Sequence, residues 1–148
     1  MTARAAALRI LAQRRLSEAQ LWARLERRGY SDEETRAAVE SVKHDGFLDD
    51  ALFARLFVDG KMKALGDARL VAELVRRGID RDAARRSVAT AERSETQRLD
   101  AAVDKLFRTR ASLSYPSAAR ALERLGFPAP AIYRTLRVRA QNKGLAEV

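Results

Sequence analysis

Apolar residues return along this chain every three to four positions, in short runs broken by Gly, Pro or clusters of Ser, Asp and Glu, and no stretch alternates as a half-buried strand would. Leu8, Leu11 and Arg15 are spaced i, i+3, i+7 on a first helix that ends near Arg14-Arg15. Ser17-Glu18-Ala19-Gln20 then has the form of a capping box, in which Ser accepts an N–H three residues on and Gln returns to the Ser N–H. Leu21 and Leu25 supply that second helix with an apolar face, and Gly29 stands where a left-handed residue ends a helix, with Tyr30 free to fold back on the last turn. Ser31-Asp32-Glu33-Glu34 opens a third helix, whose apolar side includes Ala38, Val39 and Val42.

The same pattern then recurs. Leu25 to Tyr30, Leu74 to Ile79 and Leu122 to Phe127 share the form Leu-x-Arg-(Arg/Leu)-Gly-apolar, with glycines 49 and then 48 residues apart. A second unit begins after Gly46, with Asp49 or Asp50 as N-cap for a helix carrying Leu52, Phe53, Leu56 and Phe57. Asp67 is the expected cap of a helix holding Leu70, Val71 and Leu74 that stops at Gly78, and Asp80 that of the next. A third unit starts near Ser94, buries Leu99, Val103, Leu106 and Phe107, places Pro116 at a first helical position, ends its middle helix at Gly126, and opens its last helix with Pro128 and Pro130.

Each unit therefore reads as three helices: residues 1–46, 47–92 and 93–143, followed by a tail over 144–148. Such units bury apolar faces internally and against neighbours, so the expected fold is all-α, three tandem three-helix repeats in an elongated, curved, right-angled array of short helices. One compact bundle of nine helices is the alternative.

Composition narrows the chemistry. The chain has no Cys and a single histidine, His44, so neither a thiolate metal site nor a histidine-based triad can be assembled within it. The dispersed glycines form neither GxxxxGK(S/T) nor GxGxxG, and Asp49-Asp50 fits helix capping better than acid–base work. A non-enzymatic protein without cofactor or metal is expected. Residues 1–16 lack the apolar run of a signal peptide or membrane span, which points to a cytoplasmic protein with no membrane association. Trp22 reads as packing rather than as a stacking platform.

The formal charge is +9, and residues 95–148 hold ten Lys/Arg against five Asp/Glu, more than half of the excess. An anionic partner follows, drawn over a Debye length of about 8–10 Å. The Arg27-Arg28 and Arg76-Arg77 doublets, with Arg124 in the equivalent third position, serve either a repeated contact or the negative ends of their helices. Arg81, Arg85 and Arg86 form another basic group, and Arg134, Arg137, Arg139 and Lys143 a basic side on the final helix.

Gly46-Phe47-Leu48-Asp49-Asp50-Ala51-Leu52-Phe53-Ala54 resembles the Gly-(aromatic)-Leu-Asp-Asp-x-x-Phe-Ala signature of the RecX family, bacterial proteins that regulate the RecA recombinase. The segment from Gly66 through Glu73-Leu74 to Gly78-Ile79 is similar to that family's Gly-x-x-(Arg)-(Ile/Leu)-x-x-Glu-Leu-x-x-(Lys/Arg)-Gly-Ile stretch. The chain departs from the pattern at Asp59-Gly60-Lys61-Met62, where a basic residue usually precedes the central Gly segment, and at Gly66-Asp67, where Gly-Pro is common. The resemblance gives Asp49, Asp50, Phe53, Ala54, Gly66, Glu73, Leu74, Gly78 and Ile79 structural roles. It implies a monomeric modulator seated in the groove of the RecA filament on single-stranded DNA, lowering ATP hydrolysis and strand exchange. On that reading Arg69, Arg76, Arg77 and Arg81 contact the recombinase, while Arg124, Arg134, Arg137 and Arg139 meet its acidic surface or DNA phosphate. A basic helical module for single- or double-stranded DNA is the competing expectation, and a scaffold for another acidic protein a third.

Overall fold

The computed structural model describes residues 1–60 and 64–146, the side chains of Leu145 and Ala146 excepted. Lys61 and Met62 of the departing stretch, and residues 147–148 of the expected tail, lie outside the described residues, while 144–146 continue the last helix. Among those described are nine helices and no strand: α1 (Ala3–Gln13), α2 (Glu18–Arg27), α3 (Asp32–His44), α4 (Asp50–Val58), α5 (Asp67–Arg76), α6 (Arg81–Ala89), α7 (Glu95–Thr109), α8 (Tyr115–Arg124) and α9 (Ala129–Ala146).

Local chemistry sets their starts. Ser17, Ser31 and Ser94 each complete a reciprocal capping box with Gln20, Glu34 and Gln97. Ser114 accepts the Ser117 N–H, and Asp80 accepts that of Ala83. Such caps contribute about 1 kcal/mol apiece. Asp49 is the cap of α4, accepting the Leu52 N–H at 3.1 Å, so Asp50 is the first helical residue. Two expectations are corrected. Asp67 does not cap α5 but is its first residue, preceded by Gly66, whose carbonyl receives the Leu70 N–H. Pro116 is the second residue of α8, after Tyr115, where its missing N–H is equally dispensable. The apolar stripe of α4 is also displaced by one position: Phe53, Ala54 and Val58 are buried, Phe57 half-buried, and Leu56 exposed.

By contact the chain divides into two compact units, Met1–Phe57 with Glu73–Ser87, and Val58–Ala72 with Val88–Val148. In the first, α1 crosses α2 and α3. Ala3, Ala6 and Ala7 let the helices approach around Ile10, Leu21, Leu25, Val39 and Val42. Trp22 packs on this core, donates its Nε1–H to Glu26 and lies 6.0 Å from the Arg36 guanidinium. In the second unit α7, α8 and α9 enclose Leu99, Val103, Phe107, Leu122, Phe127, Ile132 and Leu136. Each large side chain so buried stabilises its unit by about 1.5–3 kcal/mol.

Each unit is built around a seam between two middle helices. In the first unit the start of α2 meets the end of α5: the Ser17 hydroxyl donates to the Arg77 carbonyl, and the Asp50 carboxylate accepts the Glu18 N–H at 2.8 Å. Gly78, with φ +93°, closes α5, and a Cβ there would lie 2.3 Å from the Ala19 methyl. In the second unit the start of α5 meets the end of α8 in the same sense. The Gly66 N–H donates to the Leu125 carbonyl at 2.9 Å, and the Glu95 carboxylate accepts the Asp67 N–H at 2.7 Å. Gly126, with φ +94°, leaves room for Arg69, whose Cβ would stand 2.4 Å from an added methyl. The glycine of each seam therefore does two things at once: it takes the left-handed conformation that completes the helix end, and it clears space for the neighbouring helix.

Candidate partner interface

The arginines of the first unit divide by how far they are already engaged. Glu73 gathers both members of the doublet, Arg77 at 2.7 Å and Arg76 at 3.6 Å. Arg77 is half-buried, donates also to the Glu73 carbonyl, and stacks 4.5 Å from the Phe57 ring centroid. It is held in place on three sides. Arg76 keeps 77% of its side chain exposed and so presents its charge outward from the same carboxylate. Arg81, the first residue of α6, is exposed, and Arg85 sits 3.9 Å from Asp82.

In the second unit Arg69 donates to the Arg124 carbonyl at 2.8 Å, which brings those two exposed side chains to one edge of the α5–α8 seam. The final helix does not present one basic side. Arg134, Arg139 and Lys143 border an open groove of about 690 Å³ between α7 and α9, floored by Leu99 and Val103, with Asp100 and Asp104 on its other rim. Arg137 lies against a second, smaller hollow with Tyr115 and Tyr133. Arg139 is the most committed of the group, 3.1 Å from Asp104 and 4.7 Å from the Phe107 ring centroid. Arg134 and Arg137 are exposed; exposed Val138 lines the groove with Arg134, and exposed Tyr133 lines the hollow with Arg137. An aromatic ring next to exposed guanidinium groups is chemistry suited to a nucleic-acid base or an acidic surface.

The signature residues occupy the seams and cores. Asp49 caps α4 and Asp50, its first residue, receives the start of α2; Phe53, Ala54, Leu74 and Ile79 are buried; Glu73 collects its two arginines. Gly66 cannot carry a side chain, because a Cβ would stand 2.1 Å from the Gly126 carbonyl oxygen. Asp67, where the family pattern favours Pro, provides an N–H that Pro lacks, and Glu95 uses it.

The Asp50 carboxyl is displaced from its ordinary behaviour. Burial raises its pKa, with the nearby Glu18 and Asp49 charges adding to the rise and the Glu18 N–H and Lys43 opposing it.

Arg98 escaped the sequence reading. It is 2% exposed, and its guanidinium donates to the Leu65 carbonyl, the Arg93 carbonyl and the Asp67 carboxylate, fixing the segment that leads into α5. Its spacing of four from buried Ala102 was the available signal.

Tandem three-helix units joined by such seams define an all-α helical-repeat protein. Two family models match the chain, that of the RecX first three-helix domain over residues 3–41 and that of the RecX second three-helix domain over residues 49–87. The chain belongs to the RecX family. It is similar to "Regulatory protein RecX" of Thermus thermophilus, at 33% identity over 93% of this chain and 92% of the relative. It is likewise similar to that of Thermobifida fusca, at 33% over 97% and 81%. In fold it matches the crystal structure of RecX from Lactobacillus salivarius, with a TM-score of 0.76 at 15% identity, covering 91% of this chain and 92% of that one.

Proposed function

We propose that this protein regulates the RecA recombinase, chiefly as an inhibitor, by binding the RecA filament on single-stranded DNA and lowering its ATP hydrolysis and strand exchange. The observation that carries this reading is the 33% identity to a RecX regulatory protein over more than nine-tenths of both chains. Arg69, Arg76 and Arg81 face the recombinase, with Arg77 holding Glu73 and Phe57 so that Arg76 stays aimed outward. Arg124, Arg134 and Arg137 meet its acidic surface or DNA phosphate, and Arg139 borders that contact from its position on Asp104. Repeated charges on a repeat protein suit a polymer of identical subunits, because each unit meets an equivalent surface. The protein acts as a binding module in the cytoplasm, and alone in dilute solution it is a monomer.

The test is the ATP hydrolysis rate of RecA prebound to saturating single-stranded DNA, titrated with substoichiometric protein in the presence of excess competitor DNA. A fall that survives the competitor supports direct filament regulation. A fall abolished by competitor DNA, or no fall, rejects it in favour of DNA binding, the reading that exposed Tyr133 beside Arg137 supports.

A further inference from the structure

The two internal seams share one construction, and the outer repeats each retain an unmatched half of it. The receiving half is a carbonyl followed by a left-handed glycine, Arg77–Gly78 in one unit and Leu125–Gly126 in the other. The entering half is the start of a middle helix, whose cap position lies twelve residues before its own glycine: Ser17 before Gly29, Gly66 before Gly78, Ser114 before Gly126. In the first repeat the receiving half is open. Gly29 has φ +91°, close to the +93° of Gly78, yet no described atom lies within 4 Å of where its Cβ would stand. In the third repeat the entering half is exposed. Ser114 (φ −70°, ψ 152°) has the backbone of Ser17 (φ −74°, ψ 164°) and caps its helix by the same Oγ-to-N–H bond.

We propose that these open halves pair between molecules: the start of α8 in one copy enters the Arg28–Gly29 end of α2 in another, so that the chain associates head to tail. The chemistry repeats that of the first unit residue for residue at its centre. Ser114 against Arg28–Gly29 restates Ser17 against Arg77–Gly78, a serine hydroxyl on the carbonyl of an Arg-Gly pair. Three differences make the intermolecular version weaker, the first being that the Ser114 hydroxyl now meets the Ser117 hydroxyl at 3.0 Å and must turn from it to reach a carbonyl. The first residue of α1 is Ala3, so no carboxylate stands where Asp50 and Glu95 accept an N–H, and Pro116 brings a ring where Ala19 brings a methyl. A dissociation constant of about 0.1–1 mM is expected. Because the two halves are different surfaces, the contact is heterologous, and pairing two copies leaves one open half of each kind for a further copy.

Sedimentation velocity over concentrations up to about 1 mM tests this, using the intact chain and two variants. Gly29→Asn keeps a residue that tolerates positive φ but fills the open place. Ser114→Asp still caps α8 yet cannot donate to a carbonyl. The unmodified protein is expected to form a concentration-dependent ladder, each variant alone to remain monomeric, and an equimolar mixture of the two to stop at a dimer. A monomer at every concentration overturns the proposal, as does self-association of both variants equal to that of the unmodified chain, or a mixture no larger than its components. Circular dichroism establishes that both variants retain their helices. If Ser114→Asp does not, Pro116→Arg replaces it, setting a cation against Arg24, Arg27 and Arg28, with the same outcomes expected.

Discussion

The carboxylate of Glu95, at the start of α7, accepts the backbone N–H of Asp67, at the start of α5, across 28 residues of chain and 2.7 Å of space. Asp50 does the same for Glu18 across 32 residues. One helix's first acid thus satisfies another helix's orphan donor. Glu95→Ala should destabilise the second unit by about 1–2 kcal/mol. Urea unfolding compared with Asp100→Ala, an exposed carboxylate on the same helix that should change stability by under about 0.5 kcal/mol, checks it. Equal losses would remove the seam bond from the account.

The glycines provide a graded series. Gly29→Ala meets only the left-handed backbone, about 1–2 kcal/mol. Gly78→Ala and Gly126→Ala meet the same strain plus a methyl within 2.4 Å of a neighbouring Cβ, adding about 1–3 kcal/mol. Thermal unfolding should rank Gly29→Ala clearly as the mildest of the three, and a common shift for all would mean that the close approach is energetically idle.

Asp50 gives a pH dependence of unusual sign. Its pKa is raised in the folded protein by burial, so between the unfolded and folded values the folded chain binds more protons. Stability from this group is therefore greatest below the unfolded value and falls as pH rises through the folded one. Asp50→Asn, which keeps an acceptor for Glu18, removes that dependence. The stability of the unmodified chain relative to the variant should decline as pH rises across the carboxylate range, and an opposite trend in denaturant titrations would contradict the assignment.

Much of this fold is legible in the chain itself. Ser17, Ser31 and Ser94 announce their helices because a capping box is a local device, and the 49- and 48-residue glycine spacing exposes the repeat. What failed was where hydrophobicity and position compete. Leu56 outranks Ala54 and Val58 as an apolar residue, yet the stripe of α4 runs through the smaller pair. Asp67 suggested a cap because Gly in that place carries no side chain to read. In the candidate interface, the exposure of Arg76, Arg81, Arg134 and Arg137 follows from their charge, whereas Arg77 is tied down by Phe57, twenty residues away, through a stacking contact that no local pattern encodes.

Arg134 and Arg137 supply the functional prediction. Replacing both with Glu should weaken binding to the RecA–DNA filament at low salt at least tenfold while leaving the unfolding midpoint nearly unchanged, since neither supports the core. If phosphate is what they touch, removing them should also flatten the log–log salt dependence by about 0.7 per lost contact on single-stranded DNA. Undiminished binding would move the interface elsewhere.

The seams also decide how this protein can be dissected. A cut at residue 46, the first boundary expected from the sequence repeat, would separate Ser17 from the Arg77 carbonyl and Glu18 from the Asp50 carboxylate, leaving α2 with its start unfastened. The first compact unit instead gathers residues as far as Ser87, past the end of its seam. For limited proteolysis, domain exchange with relatives or recombination of repeats, the inheritable module is the bond pair together with both helices it fastens, and a graft that respects the repeat boundary alone would transplant half a joint.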